Sequence, residues 1–223
     1  MGEYPACFLG LTRLGGVGEF GPPPLTWPWL GVNIPKMSIQ AVIAKYREDV
    51  AWTEGFHEFG ITALVYDKSG DPEAQHPLPN IGREAHTYLH HIVSQYEQGL
   101  ADFTLFLQGK CLDHMEPGMT AQRLARRILD LANKKVPFKG LADYSIRCDG
   151  LGRPHGLSDP ANLGKWRGWG KDIPVAQVYS ALFSGPVPES FHIRAPAGLL
   201  FVSRERIQLR PLGLYQRALD LVE

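Results

Sequence analysis

The sequence predicts an α/β fold: a mainly parallel sheet with helices on both faces, ending in long C-terminal loops. Three observations carry this expectation. Short apolar runs of strand length alternate with amphipathic helical stretches, the pattern of a sheet covered on both sides. The first three runs each end in a burst of polar residues, where ligands enter such sheets. The chain of 223 residues, 44% hydrophobic and 21% charged, suffices for one large domain with its own core.

Residues 1–36 are crowded with glycine and proline, with Trp27 and Trp29 among them, and read as an arm rather than a folding unit. Residues 37–223 read as a single α/β catalytic domain. Ile39 to Ala44 is a buried strand, Asp49 to Phe59 a short helix, and Ile61 to Tyr66 a second strand ending at Asp67. Pro79-Asn80-Ile81-Gly82 punctuates the chain before a helix from Arg83 to Gln98, whose apolar positions Ala85, Leu89, Ile92, Val93 and Tyr96 keep helical spacing. Asp102 to Leu107 is a third strand. Thr120 can cap a helix from Ala121 to Asn133. Residues 138–198, rich in Gly and Pro, read as long loops. A last apolar run, Leu199 to Val202, precedes a closing helix from Pro211 to Leu221.

Charge and cysteine usage narrow the function. Lys plus Arg and Asp plus Glu balance at 23 each, so no overall positive charge announces nucleic acid. The halves differ: residues 1–100 hold 6 basic and 11 acidic side chains, residues 101–223 hold 17 and 12, which leaves room for a local basic face. Cys7, Cys111 and Cys148 are odd in number and widely spaced, against a disulfide framework or zinc ribbon. With neither a membrane-spanning run nor a signal-peptide layout, a cytoplasmic location is expected and no membrane partner. The phosphate loop, the dinucleotide glycine fingerprint, the serine-hydrolase elbow and the zincin motif are all missing.

Candidate chemistry gathers at the predicted strand ends. Glu48 and Asp49 follow the first strand; Asp67 and Lys68 follow the second; Gln108, Gly109 and Lys110 follow the third, with Asp113 and His114 just beyond as a possible acid–base pair. The densest polar segment is Asn80 to His91. Its helix starts with Arg83 and Glu84, then presents His86, Tyr88 and His90. His86 and His90 lack a third metal ligand, so no metal is expected. On helix 121–133, Arg123, Arg126 and Arg127, continued by Lys134 and Lys135, form a basic ridge opposite Leu124 and Ile128. Lys165, Trp166 and Arg167 add charge interleaved with an aromatic ring, a composition suited to nucleic acid.

At these residues the sequence resembles the family known as domain of unknown function 3431. The matching segments are Ala44 to Trp52, Tyr66 to Lys68, Leu78 to Ile92, Phe106 to Gly109 with Asp113-His114, and Phe201 to Ile207 before Arg210-Pro-Leu212. The order of elements also resembles the nucleotide half of a GT-A glycosyltransferase. That resemblance implies an Asp-x-Asp metal site at the end of the third strand, where this chain has Leu107-Gln-Gly-Lys110. Either Asp113 supplies the metal site from farther along or the fold is kept while the metal-dependent sugar chemistry is lost. The departure favours a second resemblance, to fungal arginine-containing cyclodipeptide synthases. It implies an enzyme that joins arginine and a second amino acid from aminoacyl-tRNAs into a diketopiperazine, with no ATP, metal or other cofactor. In that reading Glu84, His86, Asp113 and His114 are the catalytic candidates, and Glu48, Asp49, Asp67, Arg83, Tyr88 and Gln108 bind substrate. Arginyl-tRNA and a second aminoacyl-tRNA are the partners, met by the basic ridge and the Trp166 segment. The alternatives are a sugar-nucleotide glycosyltransferase and a non-catalytic nucleotide-binding module.

Overall fold

A computed structural model describes residues 37–97, 99–153 and 173–223; the predicted arm and the Lys165-Trp166-Arg167 segment lie outside the described residues. The central strand, β1 (Ile39–Lys45), is buried along almost its whole length because both faces of the sheet are covered there, which is why it reads as a continuous apolar run rather than an alternation. It runs parallel to β2 (Ile61–Asp67) and to β4 (Phe103–Gln108), and β2 runs parallel to the two-residue β3 (His76–Pro77). A late strand, β8 (Leu200–Ser203), inserts antiparallel between β4 and β5 (Phe138–Gly140). The sheet order is therefore β3-β2-β1-β4-β8-β5. A mostly parallel mixed sheet results.

Successive residues of a strand point to opposite faces, so β1 feeds two cores. Val42 and Ala44 pack with α1 (Arg83–Gln95) and α5 (Leu212–Asp220) on one face. Ala41 and Ile43 pack with a 3-10 helix (Ala51–Phe59) and α2 (Ala121–Asn133) on the other. Thr120 caps α2 as expected, its hydroxyl accepting from the Arg123 N–H at 3.2 Å.

Several boundaries depart from the sequence reading, each for a local reason. Expected as an α-helix, the 49–59 stretch is a 3-10 helix: Val50, Thr53, Phe56 and Phe59 face inward at a spacing of three, the period of a 3-10 turn. Helix α1 stops at Gln95 rather than Gln98, and the Leu100 N–H folds back to the Gln95 carbonyl at 3.1 Å. The region read as loops, 138–198, holds β5, a ribbon of β6 (Ile146–Cys148) and β7 (Phe191–Ile193), and α3 (Val175–Leu182). Strands of three residues are too short to show a period. A five-residue α4 (Arg204–Gln208) also precedes the closing helix, capped by the Ser203 hydroxyl.

Candidate active site

Parallel pairing brings the carboxyl ends of β1, β2 and β4 to one rim, with Lys45 opposite Asp67 and Ala44 opposite Gln108. The strand order also reverses at β1, since β2 lies on one side and β4 on the other. The crevice beyond such a reversal is the general ligand site of open α/β sheets.

Two lysine–acid pairs occupy this rim. Lys45 donates to Asp67 Oδ2 at 2.5 Å, while Asp67 Oδ1 accepts from the Ser69 N–H at 2.7 Å and the Ser69 hydroxyl at 2.5 Å. Burial pushes the Asp67 carboxyl up, but the Lys45 and Ser69 bonds outweigh it and hold the group below the usual carboxylate range. Asp67 in turn keeps the Lys45 ammonium above its ordinary value.

Lys68, the next residue, is 4% exposed. Its ammonium donates to the carbonyls of Ile81 and Arg83, the latter at 2.5 Å. Those carbonyls belong to the turn that launches α1, where Gly82 (φ 56°) and Arg83 (φ 50°) both adopt left-handed backbone. A Cβ on Gly82 would lie 2.8 Å from both the Val222 carbonyl oxygen and His86 Cβ, so the turn needs glycine there and a pin on the neighbouring carbonyls. Burial draws the Lys68 ammonium down to about 8, against the opposing pull of Glu84.

Glu84 is the product of this geometry. It stands in the first turn of α1 with its side chain 13% exposed. Its nearest cationic contact is Arg83 Nε at 3.6 Å, and it accepts no hydrogen bond from the described residues. A carboxylate largely withdrawn from water and without a donor is an unfilled acceptor. Below it, four residues on along the helix, Tyr88 is buried with its hydroxyl unpartnered and its ring 5.0 Å from that of Phe106. Burial, reinforced by Glu84 and then Cys111, pushes the Tyr88 phenol well above its usual range.

Other predicted site residues are engaged elsewhere. Glu48 Oε2 accepts from the Tyr46 and Arg47 N–H groups at 2.7 and 3.1 Å and folds its own loop. Asp49 accepts from the Ala51 N–H at 2.8 Å, and the Gln108 amide donates to the Ala197 carbonyl at 2.6 Å. Asp113 is exposed and paired with Lys110 at 2.9 Å. It shares a 3-10 turn (Cys111–His114) with His114, and no hydrogen bond or ion pair among the described residues joins either to Glu84. His86 and Glu84 are two positions apart on a helix and so on different faces. His86 stacks on His90 at 6.1 Å and lies 3.5 Å from the Glu223 carboxylate. Burial and the Lys68 charge keep its imidazole below the ordinary value, with Glu223 opposing. Arg83 is exposed.

Two further groups of candidates fare differently. Arg123 donates to the Gly118 carbonyl at 2.6 Å, Arg127 meets Glu116 at 3.4 Å and Lys134 meets Asp130 at 2.8 Å, while Arg126 and Lys135 are exposed. Three of the five cations in the ridge are thus tied locally. Burial pushes the Cys111 thiol up to about 12, which removes it as a thiolate nucleophile. Among the described residues no three His, Cys, Asp or Glu side chains cluster as a metal site would need, and no helix is long and apolar enough to cross a membrane.

Sequence reasoning named Lys68 among the strand-end polar residues but gave it no role. Its signal was its place directly after a strand-ending aspartate, where strand periodicity turns it away from Asp67 and toward the covering helix.

No curated protein and no solved structure matches the chain. The family described as "Protein of unknown function (DUF3431)" matches residues 41–223, which spans every strand and helix above but the first two residues of β1. The chain belongs to the DUF3431 family.

Proposed function

We propose that this protein is a transferase that joins arginine to a second amino acid, both delivered as aminoacyl-tRNA, into a cyclic dipeptide. One observation carries the reading: Glu84, a nearly enclosed carboxylate with no donor among the described residues, held at the ligand-entry rim by a pinned turn. Such an acceptor suits a guanidinium or an α-ammonium, whose N–H groups pair with carboxylates at about twice the strength of neutral bonds. A phosphate would be repelled there.

The chemistry needs little more. An aminoacyl ester is already activated, and an α-amine with a pKa near about 8 is partly free at neutral pH. The amine of one aminoacyl group attacks the ester carbonyl of the other, an amide forms, and the tRNA 3′-terminal hydroxyl leaves. The amine proton passes to Glu84 and from there to the departing oxygen. A second attack by the remaining amine on the remaining ester closes the ring and frees the second tRNA.

The GT-A-like reading as a metal-dependent glycosyltransferase has less support. A divalent metal bridging sugar-nucleotide phosphates needs carboxylates, and the residues at the end of β4 do not fit one. Gln108 is spent on Ala197, Lys110 is cationic, and Asp113 is neutralised by Lys110.

Expression in a bacterial host, which supplies aminoacyl-tRNAs, followed by product analysis tests the reading. An arginine-containing diketopiperazine is the expected product. Glu84→Gln should lower its yield by roughly ten- to a hundredfold or more while the melting temperature stays within about a degree, because the charge acts on substrate rather than on the fold. Metal-dependent transfer from a sugar nucleotide by the pure protein overturns it.

A further inference from the structure

A second polar site lies on the far side of the same rim. The edge strand β5 and the β6–β7 ribbon enclose a cleft of about 330 Å³, lined among others by Lys139, Asp143, Tyr144, Ser145, His192 and Arg194. Its floor is fixed by close backbone packing: a Cβ on Gly140 would fall 1.8 Å from the Arg194 carbonyl oxygen, so only glycine lets the ribbon approach the sheet edge. The volume is at the small end for small-molecule sites, room for one compact polar ligand.

The charges are arranged with one sign predominant. Lys139 and Arg194 are exposed, and Arg147 stands opposite His192 across the ribbon, which places their side chains on one face. Burial, then Arg194, then Arg147 hold the His192 imidazole below its ordinary value. His192 Nε2 is 3.1 Å from the Ser145 hydroxyl. Asp143 is the one carboxylate among the described lining residues, and an aromatic ring, Tyr144, stands beside it.

We propose that this cleft binds a nucleoside phosphate. The phosphate meets Arg194 and Lys139, the base lies against Tyr144, and Asp143 accepts from an exocyclic amine or a ribose hydroxyl. Asp143 is what distinguishes this ligand from a bare anion, which a carboxylate in the lining would repel. The position fits the rim site as well. Segment 194–197 runs from Gly140 to Gln108, so the cleft adjoins the rim at the end of β4. A ligand with its nucleotide in the cleft can lay its reactive end toward Glu84. This deepens the aminoacyl-tRNA reading, on which the choice of an RNA 3′ end as the source rests; a free nucleoside diphosphate offers the same chemistry.

Binding of three probes to the full chain at low salt tests the proposal: the RNA trinucleotide CCA, uridine diphosphate and inorganic pyrophosphate. CCA should bind more tightly than pyrophosphate. Lys139→Gln with Arg194→Gln should weaken it at least about tenfold and flatten the salt dependence by about two counterions' worth. Asp143→Asn should weaken CCA but not pyrophosphate. Unchanged melting temperatures and near-ultraviolet circular dichroism would show that the variants remain folded. Uridine diphosphate binding with the same mutant pattern, and CCA not, keeps the nucleoside-phosphate site while overturning tRNA as the source. Pyrophosphate binding as tightly as CCA, or CCA binding indifferent to the Lys139 and Arg194 changes, overturns the site itself. Product formation is a separate readout, so failure of the cyclodipeptide reading leaves these results standing.

Discussion

Lys45 with Asp67 and Lys68 with Glu84 are two pairs of the same composition on one rim, yet they do opposite things. In the first pair the ammonium and carboxylate close on each other at 2.5 Å, and Ser69 fills what acceptor capacity is left. In the second the ammonium is spent on two backbone carbonyls, which leaves Glu84 with a positive charge nearby but no donor among the described residues. The difference arises from strand alternation. Asp67 and Lys68 are consecutive, so one turns toward β1 and the other toward α1. Where a rim carries equal numbers of both signs, net charge says nothing about what it binds; the available group is the one whose natural partner is engaged with backbone.

The largest effect should come from removing that engagement. Lys68→Met leaves the Ile81 and Arg83 carbonyls without their donor on a left-handed turn. Two hydrogen bonds from a charged donor, at about 1.5–3 kcal/mol each, put the loss at about 3–6 kcal/mol. Urea unfolding should show that loss; a loss under about 1 kcal/mol would mean the turn holds itself and the pin is incidental.

Acid titration separates the closed pair from its buried neighbour His91. Burial, with smaller help from His90 and His76, draws the His91 imidazole down to about 4, and the ring stays within 3.0 Å of the Tyr66 hydroxyl. A histidine that is harder to protonate when folded lets the unfolded state bind more protons between those two values. Stability should therefore fall as pH drops from about 6.5 toward 4, by up to about 3 kcal/mol in total. His91→Gln should flatten that limb. Asp67 acts lower: its folded pKa lies below the usual carboxylate value, so its contribution is present above the unfolded value and disappears as pH falls through the folded one. Asp67→Asn should cost about 1–2 kcal/mol at neutral pH, measured by thermal unfolding, and leave the His91 limb in place.

These contrasts also mark what was legible in the sequence. The parallel core was, because β1, β2 and β4 are long enough for apolar runs to announce them, and the polar residues after them do converge. The place of Glu84 in the first turn of α1 was, because that helix has an unmistakable start. The occupancy of each carboxylate was not: Glu48 and Asp49 are committed to N–H groups one or two residues away, and no pattern of residue types distinguishes a carboxylate folding its own loop from one awaiting a ligand. Strands β5, β6 and β7 escaped because three residues carry no period, and the Lys139–Arg194 cleft escaped with them.

The smallest effect tests whether closure alone or closure with burial makes a pair matter. Lys134 and Asp130 are also closed, at 2.8 Å, but on the outer face of α2 with side chains 66% and 58% exposed, against 26% and 5% for Lys45 and Asp67. Water and salt screen the outer pair, and holding two long side chains in place costs entropy that the rim pair, braced by Ser69, has largely met already. A double-mutant cycle on Lys134→Ala and Asp130→Ala should give a coupling of about 0.5 kcal/mol or less, vanishing in high salt. The same cycle on Lys45→Ala and Asp67→Ala should give several times that and persist in salt. Equal couplings would mean that the 2.5 Å closure at the rim contributes no more than a surface contact, and Asp67 would return to the set of carboxylates a substrate can claim.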